Sequence, residues 1–397
     1  MALQDSKFYA DNVPDYTQKS FAAQMYRLGP AGTAPLFGFT SQLPRKTASD
    51  VEHGYFTKTA VFPYVTADGA ILAAVTTLVV DDTTNTIAGD LLRVQSTGEI
   101  VRVTTVDSAT QLTIKRGFGQ IAAATIPDNA YLYNVGNAFE QASNAPGSRL
   151  MNPARVINFT QIFRNAWALP RTVKAMRTIV GSGHIAESRL DCSFFHSGDI
   201  EKAMFWGQKY SGYVNNQYIT AMDGLIESVR RLAPAGNTSV ASSTTSYTQL
   251  ETMLNPCFDT RVEGMEGNDR ILFVGGAART VINNIGRLSG QYQIVDGQGQ
   301  FGLQFSAFRT SRGMFRMIEH PLFNTNADWK KMAVAVCLPA ISLPYLDDTM
   351  LTEYGMNGQY VQDGKDAVGG VMTTELTMEN INPAAHAVVY GLTAAAA

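Results

Sequence analysis

A chain of 397 residues that is 45% apolar holds enough material for more than one packed domain and is not disordered. Only 16% of it is charged and the net charge is −3, with no run of Lys or Arg, so the phosphate-binding signature of a nucleic-acid protein is missing. So sparse a charge suits a chain that hides much of its surface, and association with copies of itself is one way to do that. The three cysteines, Cys192, Cys257 and Cys337, are far apart and form no CxxC, which fits a reducing compartment without disulfides. The N-terminus has no basic region followed by an apolar one, so no signal peptide is expected. No apolar run approaches the ~18 residues of a membrane span.

In chain order, residues 1–50 read as an arm. They are polar and broken by Pro14, Pro30, Pro35 and Pro44. Residues 51–140 read as a β cassette, with short strands punctuated by Gly89-Asp90, Thr97-Gly98, Asp107-Ser108 and Pro127-Asp128-Asn129. Such spacing predicts a small sandwich or barrel. Its clearest piece is the hairpin Thr97–Gln120. There Val101, Val103, Leu112 and Ile114 alternate with polar residues on either side of Asp107-Ser108-Ala109. Arg102, Thr104 and Lys115 belong to its polar face, and Tyr131 and Tyr133 share one face of a later strand.

The run "RVINFTQIFRNAWAL" reads as extended, and residues 184–208 read as one helix. Ile185, Leu190, Phe194, Ile200 and Met204 lie roughly on one side of it. A Ser/Thr-rich linker, 233–246, precedes a short helix announced by the capping-box pair Ser246 and Gln249. "RILFVGG" is a buried-type strand, "AARTVINNIGRL" a helix, and "MFRMIEH" and "MAVAVCL" further strands. The end of the chain reads as two extended runs around Asn382-Pro383.

The search for chemistry yields little. "ILFVGGAARTVINNIGR" imitates the start of a dinucleotide-binding unit, but the third glycine of GxGxxG is absent and no P-loop Lys follows. The expected reading is a tight strand-to-helix turn, and "GSG" at 181–183 is likewise a loop leading into a helix. His53, His184, His196, His320 and His386 show no metal-ligand spacing. His386 reads as a hydrogen-bonded structural histidine. Glu52 and His53 are adjacent in a strand and point to opposite faces. Glu187, Asp191, Asp199 and Glu201 read as a solvated or interface face of the long helix. Tyr131 and Tyr133 suit either packing or a sugar-binding platform. No catalytic, metal or cofactor-binding set emerges, so an enzyme and a cofactor are not expected.

The order of parts carries more than any motif. The stretches "SDVEHGYFTKT", "TGEIVRVTTVDSATQLTIKRGFG", "GNAFEQAS", "NFTQIF", "GDIEKAMFWG" and "TTELTMENINPAAHAVVYGL" span most of the chain. In that order the chain resembles a major capsid (major head) protein of a tailed bacteriophage with the Hong Kong 97-like (HK97-like) fold. The branch it resembles carries a β domain inserted in the extended loop. The resemblance implies an α+β fold with an N-terminal arm at 1–50 and an extended loop with its β domain at 51–145. A peripheral domain at 146–214 would hold the spine helix, an axial domain would cover 215–345, and 346–397 would return to the peripheral domain.

The resemblance further implies a virion protein, assembled in the host bacterial cytoplasm, that forms hexamers and pentamers in an icosahedral shell around double-stranded DNA. Implied partners are copies of itself, a portal, decoration or scaffold proteins, and packaged DNA by nonspecific contact, with no membrane. Because the chain begins at Met1 without a long charged helical prefix, no fused scaffolding segment and no N-terminal processing are expected. Subunit-interface candidates are Arg102, Lys115, Tyr131 and Tyr133. The alternatives are an encapsulin-like nanocompartment shell and, from another class, a carbohydrate-binding or hydrolytic protein.

Overall fold

The computed structural model describes residues 34–58, 64–84, 86–149, 151–178, 183–261, 267–289, 296–297, 305–355 and 366–395. Residues 1–33 of the expected arm and 181–182 of the GSG loop lie outside the described residues. The chain divides into two compact units, Met1–Tyr55 with Val156–Ala397, and Phe56–Arg155.

The smaller unit is the β cassette. Its strands lie in the order Tyr64–Thr66, Tyr131–Asn137, Asp90–Val94, Ile100–Ser108, Gln111–Lys115, Thr77–Val79, every neighbouring pair antiparallel. A bridge between Ala67 and Val80 then joins the last strand to the first and closes the sheet into a barrel. Closure follows from the side-chain period of two. Val65, Leu78, Leu92, Val94, Val101, Val103, Leu112, Ile114 and Leu132 all point inward and are almost wholly buried. The expected hairpin forms with Arg102 opposite Lys115 and Val103 opposite Ile114. Its first strand runs on through Asp107 and Ser108, so the turn falls later than expected. Asp107 accepts hydrogen bonds from the Thr105 and Thr113 hydroxyls at 2.8 and 2.6 Å, which ties the two strands there instead of turning them.

In the larger unit, a four-stranded sheet runs Lys46–Thr47, Pro344–Tyr354, Ala367–Leu376, Gln161–Pro170. Gly370 is required there, because a Cβ would lie 2.8 Å from Nε1 of Trp167. The short helices α1 (Pro35–Thr40) and α2 (Arg171–Ala175) precede the long helix α3 (His184–Trp206). Its 23 residues make it about 34 Å long. The apolar stripe expected for α3 needs correction. Ile200 and Met204 are buried, but Leu190 and Phe194 are 52% and 42% exposed. Cys192 and His196 take the covered side of the N-terminal half, while α1 and the core also cover Glu201 and Phe205 near the C-terminus.

A hairpin of Tyr210–Val214 and Gln217–Ala221 follows α3, turning through Asn215 and Asn216, both at positive φ. Beyond it lie α4 (Leu225–Leu232), α5 (Tyr247–Leu254) and α6 (Gly276–Ser289). The capping box forms as read, with the Gln249 amide donating to Ser246 Oγ and the Ser246 amide donating to Gln249 Oε1. The Ser/Thr-rich segment is not a free linker. Its Thr238–Val240 is a strand at the end of a seven-stranded sheet.

That sheet continues with Ala387–Tyr390, Ala333–Val336, Asp269–Val274, Met314–Glu319, Phe305–Arg309 and Asp296–Gly297. Alternate residues feed two apolar layers. Phe273, Val334, Val336 and Val388 pack with α3 and α4, whereas Leu272, Val274, Ala333, Ala335 and Val389 pack with α5 and α6. Residues 346–397 contribute strands to two sheets. Ala367–Leu376 joins the four-stranded sheet, while Ala387–Tyr390 lies inside the seven-stranded one. The cause is composition: Ala387, Val388 and Val389 are apolar in succession, the pattern of a strand covered on both faces.

Candidate interaction surface

Alternation in the barrel leaves a coherent outer face. Tyr64 stands opposite Tyr133, Tyr133 opposite Arg93, and Arg93 opposite Ile100. In the next row Leu91 stands opposite Arg102 and Arg102 opposite Lys115. All four candidate residues, Arg102, Lys115, Tyr131 and Tyr133, therefore lie on the outside of one barrel wall. Their states differ. Arg102 is tied down: its Nε donates to the Ala138 carbonyl at 3.0 Å, its guanidinium lies 2.7 Å from Glu140, and it sits over the Phe118 ring. Lys115 is exposed and makes no ion pair among the described residues.

Tyr131 and Tyr133 are 46% and 44% exposed, with ring centroids 6.3 Å apart and planes only 22° from parallel. Tyr64, absent from the sequence reading, completes the cluster at 5.8 and 6.3 Å, tilted by 60° and 45°. The three rings therefore make no flat platform for a sugar. Exposed tyrosines carrying apolar rings and hydroxyl donors suit a protein contact.

The wall is held by a buried ion pair. Arg116 donates to both Glu99 oxygens at 2.9 and 2.8 Å, and the amides of Gly117 and Ala124 donate to the same carboxylate. Burial alone would raise the Glu99 carboxyl, but the guanidinium and amides outweigh it and hold it below the usual carboxylate range.

In the larger unit, the acidic face expected on α3 resolves into separate roles. Asp199 accepts from Asn165 and Lys202. Glu201 is fully buried, which corrects its reading as part of a solvated or interface face. It accepts the Leu36 and Phe37 amides at 2.8 and 2.7 Å, fastening the first turn of α1, and accepts from Nε2 of His320 at 2.7 Å. Nδ1 of His320 takes the Leu322 amide, which fixes the tautomer. His53 lies 3.5 Å from Glu379 and so has a partner other than Glu52.

His386 is a hydrogen-bonded core histidine, as read. Nδ1 accepts the Cys337 amide at 3.1 Å and Nε2 lies 3.0 Å from Asn380 Oδ1. Burial pushes it down to about 3. Since an unfolded histidine titrates near about 6.5, the unfolded chain binds the extra proton first as pH falls. No effect is expected above that pH, and a loss of about 2 kcal/mol is expected by pH 5. Urea unfolding of the wild type and His386→Gln across this range checks it, because the variant should lose that slope.

The glycines of "FVGGAART" have a structural cause. A Cβ on Gly275 would lie 2.4 Å from the Lys330 carbonyl oxygen, and the Gly276 amide already donates to Asn324. Among the described residues no cluster of metal ligands occurs and no helix is long and apolar enough to cross a membrane. Cys192, Cys257 and Cys337 are buried free thiols, and burial pushes Cys257 up to about 12.

Against this geometry stand three likenesses. A family model described as SU10 major capsid protein matches residues 8–393. The major capsid protein of Pseudomonas phage PaMx41 is 34% identical over 393 residues, covering 96% of this chain and 94% of that protein. A solved chain from Mycobacterium phage Adephagia superposes with a TM-score of 0.50 at 8% identity, covering 99% of both chains. The overall architecture is the HK97-like fold.

Proposed function

This chain belongs to the SU10 major capsid protein family, and we propose that it forms hexamers and pentamers of an icosahedral shell around the double-stranded DNA of a tailed phage. It is a structural component of the virion that associates with copies of itself. The finer reading is that the shell assembles in the host bacterial cytoplasm, is joined by a portal and by decoration or scaffold proteins, and carries out no catalysis. The division into arm, loop with inserted barrel, peripheral domain and axial domain is part of the same proposal.

The observation that carries this reading is the family match along residues 8–393, which leaves neither the barrel nor the α3 region outside it. The physics agrees. A shell subunit needs large contacts with several neighbours, and both units expose aromatic side chains. A closed barrel has no free strand edge, so it grips a neighbour through side chains, which gives Tyr131, Tyr133 and Lys115 their role. A net charge of −3 also fits a wall that does not hold packed DNA through counterion release.

Sedimentation velocity of the expressed chain tests this. The wild type is expected as fast-sedimenting shells. Tyr131→Ala with Tyr133→Ala should leave the barrel folded, its stability changed by about 1 kcal/mol, yet cut shell yield at least tenfold. A wild-type chain that stays monomeric under all assembly conditions contradicts the proposal.

A further inference from the structure

The barrel carries opposite charges on opposite sides. Its closing seam lies where Ala67 bridges Val80, and there the Asp81 amide donates to the Thr66 carbonyl at 3.1 Å and the Asp68 amide to the Val79 carbonyl at 3.0 Å. Ala67 and Val80 are buried inside the barrel, so Asp68, Val79 and Asp81 face outward. Asp68 and Asp81 are diagonal cross-strand neighbours, about 7–8 Å apart. Asp128 joins them by accepting the Gly69 amide at 2.8 Å, and Asp82 follows directly in the chain. All four acids are exposed, and none makes an ion pair among the described residues. Residues 59–92 contain no Lys or Arg, so no cation from either seam strand answers them. The far wall has the other sign. Arg93 and Lys115 are exposed there, on strands two to three places from the seam, and make no ion pair among the described residues. Arg102 lies between them and is already paired with Glu140. Asp107 sits at the turn end of that hairpin, away from Lys115, and is held by Thr105 and Thr113. Tyr133 stands beside Arg93, with Tyr131 next to it.

We propose that the acidic seam of one copy's barrel docks on the Arg93, Lys115 and tyrosine wall of a second copy's barrel. Charge complementarity fixes the occupant. Seam against seam would bring carboxylates together, and wall against wall would bring cations together, so like-charge repulsion excludes both self-pairings. Within one copy the two sides face away from each other and cannot meet. The hydrogen-bonding roles match as well. The seam carboxylates only accept, while Arg93, Lys115 and the tyrosine hydroxyls supply donors. Val79, 38% exposed between the acids, gives the tyrosine rings an apolar surface to cover. A contact that uses opposite sides of the barrel is head-to-tail, the kind that closes into rings of copies. The proposal rests on the shell reading in that copies associate.

Charge reversal in the full-length chain tests this. One variant carries Arg93→Glu with Lys115→Glu, a second carries Asp68→Lys with Asp81→Lys, and a third carries all four. These positions are exposed and unpaired within one copy, and Asp82 and Asp128, which bond the neighbouring backbone, are left intact. Urea unfolding of each variant confirms that the barrel still folds. Shell yield by sedimentation velocity is expected to fall at least tenfold in each double reversal and to return to within about threefold of the wild type in the fourfold one, because only that chain is complementary again. Wild-type yields of shells from both double reversals overturn the joint while leaving the shell reading intact. Folded double reversals that lose assembly without recovery in the fourfold chain also overturn it, and assign the two sides to separate partners.

Discussion

Glu201→Ala is expected to destabilise the larger unit by about 3–5 kcal/mol. The carboxylate is fully buried and accepts three hydrogen bonds, from the Leu36 and Phe37 amides and the His320 ring. Alanine leaves all three donors without partners inside the apolar layer that holds Phe205, Phe273 and Phe323. Domains are stable by only about 5–15 kcal/mol, so this is a large share of the total. Glu201→Gln keeps the shape and one acceptor oxygen but turns an NH2 group toward a donor, so a smaller loss of about 1–3 kcal/mol is expected. The urea midpoints of both variants, with amide exchange at Leu36 and Phe37, check this. If α1 is held by Glu201, exchange at those two amides rises in the alanine variant by more than global unfolding explains.

Arg116→Met is expected to cost the barrel about 3–5 kcal/mol, because Glu99 is then a buried charge without its counter-ion. Adding Glu99→Met should recover much of this, since two apolar side chains of similar size bring no uncompensated charge. The pH dependence separates the cases. In the wild type the Glu99 carboxyl is held down, so its contribution is fully present above the unfolded carboxyl value and is lost as pH falls through the lowered folded value. In Arg116→Met the guanidinium is gone, the Gly117 and Ala124 amides remain, and burial opposes them with less against it. The folded value therefore rises relative to the wild type, and the loss of stability on acidification shrinks. Amide exchange at Val101, Val103, Leu112 and Ile114, measured at two pH values, reads this directly.

What was legible in the sequence follows from which interactions are local. Val101, Val103, Leu112 and Ile114 announce their strands because a period of two needs no distant partner. Ser246 and Gln249 announce α5 for the same reason, since a capping box spans four residues. The covered side of α3 was not legible. It depends on which elements cover the helix, so Leu190 and Phe194 look like core by spacing and are exposed in the fold. Glu201 reads as a surface acid until α1 and His320, which lie 165 and 119 residues away in sequence, come together on it. Tyr64 was missed for a similar reason, because its cross-strand partner Tyr133 comes from far along the chain. The hairpin at Tyr210–Ala221 could have been found, since "YSGYVNNQYITA" alternates around an Asn-Asn turn.

The central claim is that this chain builds a closed shell from copies of itself. Cryo-electron microscopy of the particles formed by the full-length chain tests it most directly. The account predicts closed shells with sixfold and fivefold clusters, each subunit showing the six-stranded barrel and the 23-residue helix α3. A uniform monomer or small oligomer under every assembly condition would contradict it.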